Sequence, residues 1–405
     1  MTVVFDRPYQ FVPPHRGNLW PSFIQAFRLV DRHLKHKEGV VEYECRNLER
    51  LSQCLDRGDG ILLAPNHCRY ADPLVLGWPA RQAGTHVFAM ASWHLFNEGA
   101  FDSFAIQKMG GFSVNREGAD RQSLETAIEI LATAERPLIL FPEGSTNRTN
   151  DVLKPLLDGV AFIARSAAKR RQKNGSGDVV IVPVGMKYLC VDDDVTDWVD
   201  RQLNAMEQRL GWSKPPDQGL LSRTVRLAEA LLALKEIQYL GHCETGPLSE
   251  RRDALIQHLL AAVERRLGLA DSDELVRTRI RVIRSEVVKR YFGPQDDSAE
   301  RERLKEDVVA ANLAQDLLSY PDCFLLPDQV TDTRMVETIQ RMQESLLGKA
   351  DSSVRLKVVI DFAEPIAVPT DRAPRGETDP LMQQIHDRLS DMLTQLSDEA
   401  SPFSA

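Results

Sequence analysis

The sequence predicts an α/β fold in which a mostly parallel sheet is flanked by helices and interrupted by a long all-helical insertion. Three observations carry this. Short apolar runs (Gly60 to Ala64, His86 to Ala91, Pro137 to Phe141, Val179 to Gly185) alternate with segments of helical periodicity. Strand, helix and strand in succession imply parallel strands joined by right-handed crossovers. From about residue 195 the apolar residues recur at helical spacing alone for about 150 residues. Val354 to Phe362 then returns to a strand pattern, so the chain is expected to re-enter its first sheet. The implied organisation is an N-terminal segment over 1–39, a core over 40–194, a helical insertion over 195–348, and a closing strand and helix over 349–405.

Taken in order, Trp20, Phe23, Ile24, Phe27, Val30 and Leu34 recur at helical spacing, with Arg28, Arg32, Lys35 and Lys37 opposite them. This predicts one amphipathic helix over 19–36, whose apolar face either packs on the core or lies in a membrane interface. Val40 to Cys45 alternates as an edge strand does. Gly60 to Ala64 reads as a buried strand that stops at Pro65, so His67 falls where a strand becomes a loop, the place where α/β proteins put chemistry. Asp72 reads as the N-cap, and Pro73 with the apolar Leu74, Val75 and Leu76 as the start, of a helix. The loop between can fold His67 back towards Asp72.

A turn at Gly110-Gly111 leads into a short strand, Phe112 to Val114, that ends near Arg116. Leu124, Ile128 and Leu131 mark a connecting helix over 121–135. The strand at Pro137 to Phe141 ends in Pro142-Glu143-Gly144-Ser145-Thr146-Asn147-Arg148, on the same sheet edge as the His67 loop, because parallel strands share a carboxyl edge. Val160 to Ala168 continues as a helix, followed by a basic, flexible loop over 169–177. In the insertion, Leu221, Val225, Ala228 and Leu232 form one apolar stripe. Ile256, Leu259, Leu260, Val263 and Leu267 form another, and Val336, Ile339 and Leu346 a third. Asp379-Pro380 opens a final helix carrying Leu381, Ile385, Leu389, Met392 and Leu396 on one face.

Composition narrows the function. The 405 residues, 43% hydrophobic and 27% charged, suffice for a full core, and a net charge of −9 argues against a nucleic-acid binder, which needs a basic surface. Between Val191 and Ala350 lie 22 Lys and Arg against 29 Asp and Glu, so the insertion is acidic despite the local run Arg277, Arg279, Arg281, Arg284, Lys289, Arg290. The longest stretch free of charge, Gln82 to Asn97, is too short and polar to span a bilayer. Residues 1–14 have neither a basic nor an apolar region of the kind that opens a signal peptide. The cysteines at 45, 54, 68, 190, 243 and 323 lack CxxC spacing, which suits reduced thiols and gives no metal site. A cytoplasmic protein is expected.

The chemistry converges on His67. A neutral imidazole takes a proton from a hydroxyl near neutral pH, and a carboxylate on its other nitrogen fixes the tautomer and stabilises the imidazolium. No serine with an elbow-like context completes a triad, so a catalytic pair would act on a hydroxyl that the substrate brings. The plainer reading is a loop histidine beside a capping aspartate. Cys68 is a poor nucleophile for His67, since adjacent side chains point apart. The glycine and hydroxyls over 143–148 offer donors to an anion, with Arg148 adding a charge-assisted contact.

Asn66-His67 with Asp72, Gly110-Gly111-Phe112-Ser113-Val114-Asn115-Arg116, Phe141-Pro142-Glu143-Gly144 and Ile181-Val182-Pro183-Val184-Gly185 together resemble the four ordered blocks of the glycerolipid acyltransferase family. That family includes the glycerol-3-phosphate and lysophosphatidate (1-acylglycerol-3-phosphate) acyltransferases. Val358 to Ile366 is similar to the strand that closes such domains. The resemblance covers about residues 40–190 and 354–400 and leaves out the insertion.

It implies transfer of a fatty acyl group from an acyl-CoA or acyl-carrier-protein thioester to a hydroxyl of a glycerol phosphate or lysophospholipid. Lysophosphatidate is the leading acceptor, and no cofactor or metal is implied beyond the thioester co-substrate. His67 becomes the general base, Asp72 orients it, and no acyl-enzyme forms. Acceptor-phosphate binding carries over to Arg116 and to Glu143 and Gly144, with Asn66, Ser145 and Arg148 as neighbouring substrate contacts and Pro183 as the match in the fourth block. The implied setting is the inner face of a membrane, with peripheral attachment.

Two departures stand out. Many members have Gly-Thr-Arg-Ser after the glutamate, whereas here Ser145, Thr146 and Asn147 precede Arg148, and Cys68-Arg69-Tyr70 fills the first block unusually. Alternatives are another lipid alcohol or an amine as acceptor, or a degenerate core serving a partner-binding helical module. The insertion itself reads as a structural bundle or as a lid over the acyl chain.

Overall fold

The computed structural model describes residues 3–192, 194–213, 218–270, 274–294, 297–322, 324–371 and 379–403; Cys323 lies outside the described residues. The chain enters through α1 (Leu19–Ala26) and α2 (Leu29–Lys37), where one helix was expected. The break falls at Arg28, which adopts left-handed φ of 51°. It lets Leu34 of α2 reach the core while α1 turns its apolar side outward: Trp20, Phe23 and Phe27 are exposed. The edge strand β1 (Val40–Arg46) and α3 (Glu49–Asp56) lead to β2 (Gly60–Pro65), in which every residue is buried. Both faces of β2 are covered, which is why it reads as a continuous apolar run.

After the His67 loop come the one-turn helix α4 (Asp72–Val75) and α5 (Gly77–Gln82), then β3 (Phe88–Ser92), a 3-10 turn at Trp93–Asn97, α6 (Ala100–Lys108) and β4 (Gly111–Val114). Asp72 is not a capping residue as expected: it is the first residue of α4, and its carboxylate makes no cap bond. α7 (Arg121–Thr133) is capped by Asp120, which accepts from the Ser123 N–H. β5 (Leu138–Ile139) precedes α8 (Gly159–Lys173), which absorbs most of the basic segment expected to be a loop. Basic residues suit a helix C-terminus, and Arg171 is held there by the carbonyls of Gly58, Ala132 and Gly177. β6 (Val179–Cys190) runs five residues past its expected end because its second half pairs with the returning strand.

The helical stretch comprises α9 (Thr196–Arg209), α10 (Leu220–Leu240), α11 (Leu248–Leu267), α12 (Val276–Tyr291), α13 (Ser298–Leu317) and α14 (Asp332–Leu347). The chain then returns through β7 (Leu356–Phe362) and β8 (Ile366–Ala367) and closes with α15 (Pro380–Ser397), capped by Asp379. The sheet order is β1-β7-β6-β2-β5-β3-β4, with β8 also on β6. β2, β3, β4, β5 and β6 are mutually parallel; β7 joins β6 antiparallel and carries β1 parallel to itself. The strand that re-enters after the insertion therefore lies inside the sheet, between β6 and β1.

Alternation along the strands divides the core. Ile61 and Leu63 pack on one face with α9, α14 and Leu227 of α10, whereas Leu62 and Ala64 pack on the other with α7, α8 and α15. A third cluster belongs to α11, α12 and α13, with Leu232 of α10. The helical stretch is thus divided between the sheet's own core and a core of its own.

Candidate functional site

Pro65 ends β2 and leaves His67 on the carboxyl edge of the sheet. Three bonds tie this loop to the turn after β5. The His67 N–H donates to Glu143 Oε1 at 2.7 Å, the Asn147 N–H donates to the His67 carbonyl at 2.7 Å, and His67 Nε2 lies 3.0 Å from Thr146 Oγ1. The imidazole stacks on Phe141, with centroids 3.9 Å apart. The two loops that the sequence placed on one edge are in direct contact.

Asp72 is fully buried. Its Oδ2 lies 2.9 Å from His67 Nδ1 and accepts from the Arg69 N–H at 2.9 Å; its Oδ1 accepts from the Tyr188 hydroxyl at 2.7 Å. A carboxylate only accepts, so Nδ1 carries the hydrogen and Nε2 presents its lone pair to Thr146. Burial and the Asp72 charge push the Cys68 thiol and the Tyr188 hydroxyl well above their ordinary pKa values. Tyr188 therefore stays a donor, and Cys68 stays a thiol, inert as a nucleophile.

The other expected site residues divide. Glu143 is 2% exposed, and its carboxylate turns inward: besides the His67 N–H it accepts from Asn147 Nδ2 at 2.8 Å and from the Lys154 N–H at 3.1 Å. Burial raises its pKa. Its geometry is that of a clasp between the loops, not of a group facing an anion. Gly144 holds φ of 70°, and a Cβ there would lie 2.3 Å from Leu157 Cδ1, so only glycine fits the turn. Ser145 is part-exposed in the same turn.

Asn66 is 1% exposed and faces away from any substrate: its Nδ2 donates to the Met186 carbonyl and its Oδ1 accepts from the Met186 N–H. Arg148 is committed to Glu344 of α14, with its guanidinium 5.6 Å from the Tyr70 ring. Pro183 sits in β6 opposite Ala64. Arg116 is not brought to His67; its neighbours are Glu117, His94 and Arg284 of α12, and burial lowers its pKa to about 10.

Sequence reasoning missed three groups at this site. Thr146 reads in the sequence only as one hydroxyl donor of the turn, not as the group facing His67 Nε2. Tyr188 lies 116 positions from Asp72 and reads only as strand. Arg277 was visible in the basic run of the insertion, but nothing local shows that its Nη1 donates to the Glu143 carbonyl at 3.3 Å. Beside it, Lys154 is pushed down to about 7, first by burial and then by the Arg277 charge.

Elsewhere, a cleft of about 640 Å³ lined by Lys35, His36, Gln343 and Ser352 shares no residue with the His67 loop. Leu19, Trp20, Phe23 and Phe27 form an exposed apolar surface with Phe101 and Phe104, the Trp20 and Phe104 rings being 5.2 Å apart. Among the described residues no helix is long and apolar enough to cross a membrane, and no cluster of His, Cys, Asp and Glu is placed to hold a metal.

Residues 42–187 match the acyltransferase family model. The chain is also similar to a 1-acyl-sn-glycerol-3-phosphate acyltransferase of Streptococcus pneumoniae, at 34% identity over 110 residues. That match covers 27% of this chain and 38% of the relative's length. It is the α/β core around His67, without most of the helical stretch, that these comparisons reach, and over residues 42–187 this core matches an acyltransferase domain.

Proposed function

We propose that the protein transfers a fatty acyl group from an acyl-CoA or acyl-carrier-protein thioester to a hydroxyl of a phosphate-bearing glycerolipid, lysophosphatidate being the leading acceptor. The observation that carries this is the His67 ring, with Nδ1 on Asp72 at 2.9 Å and Nε2 open to the Thr146 hydroxyl at 3.0 Å. The acceptor hydroxyl takes the position that the Thr146 hydroxyl marks. Its oxygen attacks the thioester carbonyl as its proton passes to Nε2, and Asp72 balances the imidazolium. The tetrahedral intermediate collapses as the C–S bond breaks, and the thiolate leaves with the proton that His67 held. No covalent enzyme intermediate is needed, in keeping with the inert Cys68.

The acceptor and the acyl chain are membrane components, and the exposed face of α1 with Phe101 and Phe104 is the surface proposed to meet the lipid. Aromatic rings rimmed by the exposed cations Arg28, Arg32 and Lys35 are what an interfacial segment requires.

The test measures thiol release from one acyl thioester against lysophosphatidate, glycerol 3-phosphate, a neutral lysophospholipid and a long-chain amine. Release that depends on a phosphate-bearing acceptor and falls at least 100-fold in His67→Ala is expected. Undiminished turnover in that variant would refute the assignment, and preference for a neutral alcohol or an amine would replace the acceptor.

A further inference from the structure

Three arginines of the helical stretch show how a guanidinium here meets a carboxylate. Arg223 grips Glu207, Arg251 grips Glu236 and Arg279 grips Glu264, each through the parallel Nε–H and Nη2–H of one guanidinium edge. Arg277, two residues from Arg279 on α12, is different. Its Nη1 donates to the Glu143 carbonyl, while Nε and Nη2, both buried, have no partner among the described residues. The same edge that elsewhere holds two carboxylate oxygens is empty here.

Glu143 does not fill it. Its carboxylate is already engaged by the His67 N–H, Asn147 and the Lys154 N–H, and Arg277 reaches only its backbone oxygen. We propose that the helical stretch supplies the catalytic pocket with an anion subsite, in which the Nε and Nη2 edge of Arg277 grips two oxygens of a substrate phosphate ester. A bidentate fork on a tetrahedral oxyanion is the contact that guanidinium geometry favours. Arg277 lies in the first turn of a 16-residue helix, whose dipole adds to the attraction.

The surroundings agree. Lys154 is a second part-buried cation beside Arg277, its ammonium held among the described residues by the carbonyls of Asn147 and Leu318. Burial lowers the pKa of both, and of Lys154 further through the Arg277 charge; the Glu143 carboxylate offsets only part of this, and a phosphate at the guanidinium edge adds the missing counter-charge. The subsite borders the Glu143 turn that clasps His67, so one substrate can place a hydroxyl at Nε2 and a phosphate at Arg277; in a glycerol 3-phosphate these groups sit on neighbouring carbons. The arginines expected to bind the phosphate are engaged elsewhere, Arg148 with Glu344 and Arg116 beside Arg284 in the middle of α12.

This inference rests on the acyl-transfer reading for its substrate and on the empty guanidinium edge for its chemistry, so the test separates them. Binding of glycerol 3-phosphate is measured by titration calorimetry on the full chain without thioester, with glycerol as the neutral control, for wild type, Arg277→Ala and Arg277→Lys. The wild type should bind glycerol 3-phosphate and not glycerol, the alanine variant at least tenfold more weakly, and the lysine variant in between, with thermal unfolding unchanged. Equal binding by wild type and Arg277→Ala, or no binding by the wild type, would overturn the subsite.

Steady-state kinetics then identify the source of the phosphate. A raised KM for the acceptor alone assigns it to the acceptor, and a raised KM for the thioester alone assigns it to the donor. Loss of phosphate binding in Arg277→Ala by a protein that acylates nothing would leave the subsite standing and remove the acyl-transfer reading instead.

Discussion

Asp72→Asn is the substitution that isolates the charge beneath His67. The side chain keeps its shape, so what changes is one oxygen becoming an amide nitrogen. Oδ2 accepts from His67 and from the Arg69 backbone N–H, which cannot reverse its role, whereas Oδ1 faces the Tyr188 hydroxyl, which can turn to accept. The amide therefore settles with nitrogen towards Tyr188 and oxygen towards His67, and the tautomer that leaves Nε2 basic survives. What is lost is the pairing of the imidazolium with a carboxylate.

With charge centres about 4 Å apart and an effective dielectric constant of about 20, that pairing is worth about 4 kcal/mol. At about 1.4 kcal/mol per decade this is a thousandfold in rate. The amide dipole returns part of it, so kcat should fall about 100-fold to 1,000-fold while the KM values of donor and acceptor stay within about threefold. Thiol release at saturating acceptor measures kcat, and thermal unfolding checks that the buried amide is tolerated. A fall in kcat of less than tenfold in a folded variant would refute the view that Asp72 acts through His67.

Two further outcomes follow from the structure. Trp20, Phe23 and Phe27 are 40%, 45% and 59% exposed. At about 25 cal/mol per Å² and on the order of 80 Å² per ring, sinking each into lipid contributes ~2 kcal/mol. Replacing all three by serine should weaken partition onto anionic phospholipid vesicles at least tenfold in a sedimentation assay, without changing turnover of a detergent-dispersed acceptor, and unchanged partition would remove this face as the membrane contact. Lys154, with its pKa lowered to about 7 in the folded chain against about 10.4 unfolded, binds fewer protons folded than unfolded between those values, so it makes stability rise with pH across that window. Lys154→Met should abolish a rise of about 2 kcal/mol between pH 7 and pH 9 in urea unfolding, and parallel pH profiles for the two proteins would show that the ammonium is not held in that state.

Local chemistry was legible in the sequence and long-range chemistry was not. The His67 and Asp72 contact closes over five residues and follows from a strand, a proline and a helix start, although the cap reading of Asp72 failed because the carboxylate has better partners in the loop. The contact of the Glu143 turn with the His67 loop follows from parallel strands sharing an edge. The direction of the Glu143 side chain does not, since it depends on the left-handed Gly144 that turns the carboxylate inward. Asn66 reads as a substrate ligand until β6 is beside it and Met186 takes both ends of its amide. Tyr188 and Arg277 reach the site from distant segments, and periodicity alone cannot say which face of α12 meets the Glu143 turn.

The same limit explains why the helical stretch reads as one block. Its apolar stripes are alike, and only packing assigns them to different cores. α14 is bound to the loops of the site by polar contacts: Arg69 meets Gln340, the Asn150 N–H meets Glu337, Arg341 meets the Arg148 carbonyl, and Arg334 shares Asp151 with the fully buried Lys187. Withdrawing one partner from the buried Asp151 ion pair costs about 3–5 kcal/mol, so α14 is firmly seated on these loops. α12 is attached differently. It belongs to the separate core of α11 and α13, and it meets the catalytic edge through Arg277 on the Glu143 carbonyl and Ser285 on the Glu117 carbonyl. Both are contacts to backbone oxygen, and beside them the Arg284 charge lies close to Glu117. A phosphate held by the Nε and Nη2 edge of Arg277 would add a charged contact to the seating of α12 on the sheet.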